Sequence, residues 1–227
     1  MFVREILKFQ SFSQCLEDLI LFAFFYDTKI GFYIDIGAND PNVISVTKAF
    51  YIRGWYGINI EPLPNIFQKL VKYRPRDINL KIGIGKSKGI AKLYENESGS
   101  TLLTKYSRNI TKFITIQIDT MLNICHKYVP KNEVVQFCKI DIEGGEKDAL
   151  LGYDFENCRP KVFCIESTKP SSMIPTFDEW ENILFKNDYS FAYQYEINRF
   201  YIDNKINGLK EKFLIVERAI KIYQHKN

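Results

Sequence analysis

The chain has 227 residues, 46% of them hydrophobic, and a formal charge of +4. That length and apolar content suit one domain with a sizeable core, and no Pro/Gly/Ser-rich linker interrupts it. The greasiest run, residues 16–25, is broken by Glu17 and Asp18 and is far shorter than the ~20 residues a membrane-spanning helix needs. The N-terminus carries Arg4 and Lys8 without the apolar segment and small-residue cleavage site of a secretion signal, so a cytoplasmic protein is expected. Basic residues are spread along the chain. The densest stretch, 210–226, also holds Glu211 and Glu217, which reads as a solvated helix face and not a nucleic-acid surface. The five cysteines, Cys15, Cys125, Cys138, Cys158 and Cys164, show no metal-binding spacing, and buried free thiols are expected.

In chain order, Ser11-Phe-Ser-Gln14 matches a capping box, and Leu16, Leu19, Ile20, Ala23 and Phe24 recur at helical spacing. A helix over 13–26 is expected. Short apolar runs then alternate with helical patterns, the signature of βαβ units and a mostly parallel sheet. The strands expected are 32–36, 56–61, 78–84, 134–142 and 161–166. Between them fall a helix over 43–53 stopped by Gly54, and one opened by Pro64 with Phe67, Leu70 and Val71 toward the sheet. Two more follow, from Asp119 through 127 and over 177–187. Residues 90–94 and 113–118 read as extra or edge strands around a polar loop, 95–109, whose length suits a lid or substrate loop and equally a mobile surface loop. Two alternating runs, 189–195 and 199–203, form a closing hairpin through Glu196-Ile-Asn198. The fold class is α/β and Rossmann-like, with helices on both faces and the last strand antiparallel to its neighbours.

In open α/β sheets ligands bind beyond the carboxyl ends of the strands. Four of the expected strands end there in acids: Asp35, Glu61, Asp141 with Glu143, and Glu166. Asp35, just before Gly37-Ala38-Asn39, would repel a pyrophosphate, and the GxGxxG glycines of a dinucleotide loop are missing. An acid there suits a cationic ligand, and S-adenosylmethionine carries an ammonium and a sulfonium. Glu61 is placed to accept both ribose hydroxyls. A methyltransferase is the first reading.

In Lys139-Ile-Asp141-Ile-Glu143, alternation puts Lys139, Asp141 and Glu143 on one face. Gly144-Gly145 then turns into a helix opened by Glu146, whose charge the helix N-terminus explains. Asp141 is the first candidate for general base, with Glu143 an orienting group or the alternative base. Lys139 stabilises a developing alkoxide or holds Asp141 ionised. Asn198 and Arg199, on the hairpin, are candidates for the acceptor, and serve equally well as a turn asparagine and a solvated arginine. His126 falls late in its helix, where the dipole favours it. A variant places Mg²⁺ between Asp141 and Glu166, below the metal-free mechanism.

In this order the motifs resemble the FkbM family of S-adenosylmethionine-dependent methyltransferases. They are Ser13-Gln14 with Glu17-Asp18, then the segment 31–41 around Asp35, Ser45-Val-Thr47-Lys48, and Gly54 through Glu61-Pro62. Arg74-Pro-Arg-Asp77-Ile-Asn79-Leu, Lys139 through Gly144, and Asn198-Arg199-Phe-Tyr201 complete the set. The resemblance implies a class I methyltransferase fold with a seven-stranded sheet. It also implies O-methylation of a sugar or nucleotide-sugar hydroxyl of bacterial capsule or lipopolysaccharide synthesis. By matching position, Gln14, Asp35, Gly37, Ala38, Asn39, Ser45, Glu61, Pro62, Ile84 and Asp141 would bind the cofactor. Lys139, Asp141 and Glu143 would be catalytic, and Asn198, Arg199 and Glu166 would meet the acceptor. One methyltransferase domain over 1–227 is expected, with a helical extension (1–30), a core (31–203) and a helical tail (204–227). Self-association stays open. The competing readings are an NAD- or nucleotide-binding enzyme using Glu61 on the ribose, and an inactive methyltransferase fold that binds without turnover.

Overall fold

Strands with apolar residues on both faces need covering on both sides, and that requirement shapes the molecule. The computed structural model describes residues 2–96, 99–101 and 112–225. Helices α1 (Phe2–Lys8) and α2 (Glu17–Phe24) precede β1 (Phe32–Ile36). Then come α3 (Lys48–Ile52), β2 (Tyr56–Ile60), α4 (Pro64–Tyr73), β3 (Ile78–Leu80), β4 (Gly83–Ile84), β5 (Gly89–Asn96), β6 (Gly99–Thr101) and β7 (Phe113–Asp119). They are followed by α5 (Met121–Tyr128), β8 (Val135–Ile140), α6 (Glu146–Leu151) and β9 (Val162–Glu166). A 3₁₀ turn over Phe177–Glu179, α7 (Glu181–Lys186), β10 (Tyr189–Tyr195), β11 (Asn198–Asp203) and α8 (Lys212–Gln224) complete the chain.

The main sheet has seven strands in the order β10-β11-β9-β8-β1-β2-β3. Only β11 runs antiparallel to its neighbours, β9 and β10; the remaining pairs are parallel. This is the Rossmann-like methyltransferase sheet with the closing hairpin expected from the sequence. On one face Tyr33, Phe137, Cys164 and Phe200 pack against α1, α2 and α8, where Ile6, Leu19, Phe213 and Val216 lie. On the other, Ile34, Ile58, Cys138 and Ile165 meet Met121, Ala149 and Leu184 of α5, α6 and α7. Strand order reverses at β1, which sits between β2 and β8, so the carboxyl ends of both halves open onto one crevice.

Several local expectations need correction. Residues 78–84 divide: β3 stays in the main sheet, and β4 joins a separate four-stranded sheet of order β4-β7-β5-β6. The capping box does not form. The Ser11 and Ser13 hydroxyls each donate to Asp18 Oδ1 at 2.7 Å, and the Phe12 amide donates to Oδ2 at 2.6 Å, so α2 starts only at Glu17. The helix expected over 43–53 shrinks to α3, because the buried Arg74 guanidinium pulls the preceding loop onto α4. It donates to Pro41 O (2.6 Å), Ser45 Oγ (3.1 Å) and Thr47 O (3.3 Å). On α4 Leu70 is buried but Val71 is exposed. Cys125 and Cys158 form a disulfide between α5 and the segment after α6, against the expectation of free thiols; Cys138 and Cys164 are buried and free. Most of the expected loop over 95–109, residues 97–98 and 102–109, lies outside the described residues. Among the described residues no helix is long and apolar enough to cross a membrane.

Candidate active site

At the carboxyl edge of β1 the chain turns through Gly37, whose φ is +81°. A Cβ there would lie 1.9 Å from the Asp141 carbonyl oxygen, so only glycine lets the β1 and β8 ends close up. Lys139 is paired in register with Asp35 on the adjacent strand. Its Nζ donates to Gly37 O at 3.0 Å and stands 3.3 Å from Asp141 Oδ2 and 3.7 Å from Asp35 Oδ1. Burial pulls the ammonium's pKa down, but the Asp141 and Asp35 charges outweigh it and hold Lys139 charged well above its ordinary range.

Two cavities of about 440 Å³ each flank this lysine. They share Gln14, Ile44, Lys139, Asp141 and Glu143. The first adds Gly37, Asn39, Glu61 and Pro62, together with an apolar wall of Ile60, Ile82, Ile84, Leu93 and Ile142. The second adds Glu17, Val46, Glu166, Thr168, Ser171, Ser172, Met173 and Ile197.

Glu61, just past β2, accepts the Asn39 amide at 3.1 Å and the Leu63 amide at 2.8 Å. Burial raises its pKa, and those two N–H groups and the Lys139 charge partly offset the rise. Glu143 reaches the site in a left-handed conformation, φ 54°, and not by strand alternation, since β8 ends at Ile140. Burial, then the Asp141 and Glu146 charges, push its carboxyl up to about 7. Glu146, at the start of α6, accepts the Ile142 and Gly144 amides at 3.1 Å each and so shapes the turn that carries Glu143. Glu166 ends β9 almost fully buried. Burial, then the Asp141 and Glu143 charges, push it up to about 10.

The residues singled out from the sequence fall into three groups. Gln14, Gly37, Asn39, Glu61, Pro62, Ile84, Lys139, Asp141, Glu143 and Glu166 line one or both cavities. Asp35, Ala38 and Ser45 lie behind the walls. Asp35 accepts the Thr47 hydroxyl at 2.9 Å and faces Lys139, so the cation it serves is a side chain of the protein itself. The Ala38 amide donates to Ile60 O, and Ser45 is held by Arg74. Asn198 and Arg199 line neither cavity. The Asn198 amide donates to Glu17 Oε1 at 2.8 Å, while Arg199 bonds Glu181 at 2.7 Å and stacks over Phe177 and Phe191. Glu17 escaped the sequence reading as a site residue; its signals were an acid inside the apolar run 16–25 and its place in the Glu17-Asp18 pair of the family resemblance. His126 sits in the last turn of α5, 3.1 Å from Asp154. Asp141 and Glu166, the ligands of the magnesium variant, share the second cavity wall. Among the described residues no group of three or more His, Cys, Asp or Glu side chains is arranged to hold a metal ion.

A family model, the Methyltransferase FkbM domain, matches residues 35–191, which run from β1 into β10. The chain belongs to the FkbM methyltransferase family. Comparison with curated proteins gives no match. The FkbM match makes this chain a methyltransferase and spans nearly all of both cavities. Gln14, Glu17 and Ile197 stand outside it. The first cavity also fits the methyl donor the family generally uses. It offers the Glu61 carboxylate for a ribose diol, a glycine approach at Gly37, an apolar wall for a base, and Asp141 and Glu143 for cationic groups.

Proposed function

We propose that this FkbM methyltransferase moves a methyl group from S-adenosylmethionine to a sugar hydroxyl. The observation that carries the reading is the pair of cavities meeting at Lys139, Asp141 and Glu143, one suited to a cationic nucleoside and the other polar and rich in hydroxyls. Bound in the first cavity, S-adenosylmethionine supplies a methyl carbon activated by a sulfonium. The protein's part is to hold an acceptor oxygen in line with that carbon and to remove its proton. Fixing two reactants in line lowers the barrier without further chemistry.

Proton removal falls to the two carboxyls at the junction. A general base works best with a pKa near the working pH, and Glu143, at about 7, meets that condition. Asp141, held 3.3 Å from the Lys139 ammonium, then orients the hydroxyl, with Lys139 steadying charge on the oxygen. The opposite assignment, Asp141 as base and Glu143 as orienting group, uses the same geometry. Pocket residues Thr168, Ser171 and Ser172 give further hydroxyls for a polyol. Capsule or lipopolysaccharide sugars, free or nucleotide-linked, are the acceptors this reading favours.

Calorimetric titration with S-adenosylhomocysteine and, separately, NAD⁺ tests it. Tight binding of the first alone, followed by methyl transfer to sugars detected by mass spectrometry, is the expected result. Binding of NAD⁺ alone would overturn the reading.

A further inference from the structure

The wall that belongs to the second cavity alone is acidic. Of the residues it does not share with the first cavity, Glu17 and Glu166 are carboxyls, Thr168, Ser171 and Ser172 are hydroxyls, and none is a lysine or arginine. Among the described residues its sole cation, the shared Lys139, is already flanked by Asp35 and Asp141. Glu17 is held in place as an acceptor: its Oε2 takes the Cys15 amide and its Oε1 the Asn198 side-chain amide, each at 2.8 Å. Glu166 is 7% exposed, and among the described residues its buried Oε2 has no hydrogen-bond partner. A buried carboxyl oxygen left without a donor is costly, so the site is incomplete as the protein stands.

We propose that the second cavity recognises an acceptor sugar bearing a protonated amine, with the ammonium held between Glu166 and Glu17 and the reacting hydroxyl at Asp141 and Glu143. An ammonium supplies both missing items, a donor for the orphaned oxygen and a countercharge for the acidic wall. A sugar carboxylate or phosphate in that place would face the Glu17 and Asp141 carboxylates and be repelled. An N-acetylated amine donates one hydrogen bond and brings no charge. Glu166, which holds its proton in the empty site, gives that proton to solvent when the ammonium enters. The groups that set this exchange are Asp141, Glu143 and Glu146 on its own side and Glu17 on the facing wall. The inference rests on the methyl-donor reading of the first cavity.

The test is calorimetry at pH 7 on the protein saturated with S-adenosylhomocysteine. The ligands are the 2-, 3- and 4-amino hexoses, their N-acetyl derivatives, glucose and glucuronate. At least one amine should bind roughly tenfold more tightly than its N-acetyl form, the difference a hydrogen bond to a charged group makes. Its binding should release protons, read from heats in buffers of different ionisation enthalpy. Glu166→Gln should bring the amine and N-acetyl affinities within about twofold of each other while S-adenosylhomocysteine affinity stays intact. The wild-type comparison and proton release decide the matter even if that variant folds poorly. Amines binding no better than their N-acetyl forms, or not at all, overturn the inference, as does a preference for glucuronate. If S-adenosylhomocysteine itself fails to bind, the methyl-donor reading falls first and this inference with it.

Discussion

Glu61 and Glu166 stand at the same carboxyl edge of one sheet, one past β2 and the other ending β9, and both are buried. Burial raises the pKa of each, yet they end in different states. Glu61 receives two backbone amides and faces the Lys139 charge, which offset much of its desolvation. Glu166 faces the Asp141 and Glu143 charges instead and is pushed up to about 10. Burial sets the direction of a carboxyl's shift, and neighbours decide whether the group stays charged. The two cavities inherit that difference. Glu61 has both its oxygens engaged by backbone amides, and Glu166 keeps a buried oxygen with no donor among the described residues.

The most severe way to disturb the contrast is to remove the cation between the two halves. Lys139→Met strands Asp35, 1% exposed, with only the Thr47 hydroxyl. Losing one partner of a buried pair should cost about 3–5 kcal/mol, read as a lower urea midpoint at unchanged slope. A midpoint equal to wild type would show that Asp35 does not need the lysine.

Glu143→Gln tests the junction. If Glu143 is the base, turnover falls by about 10²–10⁴-fold. In the wild type, activity rises with pH through an apparent pKa near 7, as Glu143 loses its proton, and the variant lacks that limb. A retained limb in Glu143→Gln, with Asp141→Asn inactive, would move the base to Asp141.

Glu61→Gln keeps the shape but replaces an acceptor by a group that also donates. S-adenosylhomocysteine affinity should fall about 10–100-fold, the worth of hydrogen bonds to a charged group. Glu166→Gln, the matching change across the sheet, should leave it within about twofold. Equal losses in the two would erase the distinction between the cavities.

The smallest effect is on stability. Glu166 has a folded pKa raised above its unfolded value, so the folded state binds the proton more tightly. The stability this contributes is complete below about pH 4.5 and is lost as pH rises toward 10. Glu166→Gln should therefore flatten the decline, with a Tm advantage over wild type that grows steadily from pH 5 to pH 9. A constant Tm difference from pH 5 to 9 would mean that Glu166 ionises normally.

Much of this was legible in the residue pattern because a parallel sheet writes itself into sequence. Apolar runs of strand length between helical periods, and acids at their carboxyl ends, give the sheet, the hairpin and the edge at which Glu61, Asp141, Glu143 and Glu166 gather. Pattern alone did not tell a carboxylate on a cavity wall from one behind it. Asp35 and Lys139 are 104 positions apart in the chain and one strand apart in space, so only the register of β1 against β8 shows that the lysine intercepts the aspartate. Asn198 and Arg199 line neither cavity for a similar reason. Strand alternation sends them to opposite faces, one toward Glu17 of α2 and the other toward Glu181 of α7.

The sequence by itself determined the family, the layered α/β fold and the edge where the chemistry lies, because local periodicity and strand-end residues are local properties of the chain. Tertiary structure alone decided which carboxyls keep their protons and which cation serves which acid. It also placed Glu17 on the wall of the second cavity. Those outcomes depend on burial and on distances between residues far apart in the chain, and no local pattern encodes either.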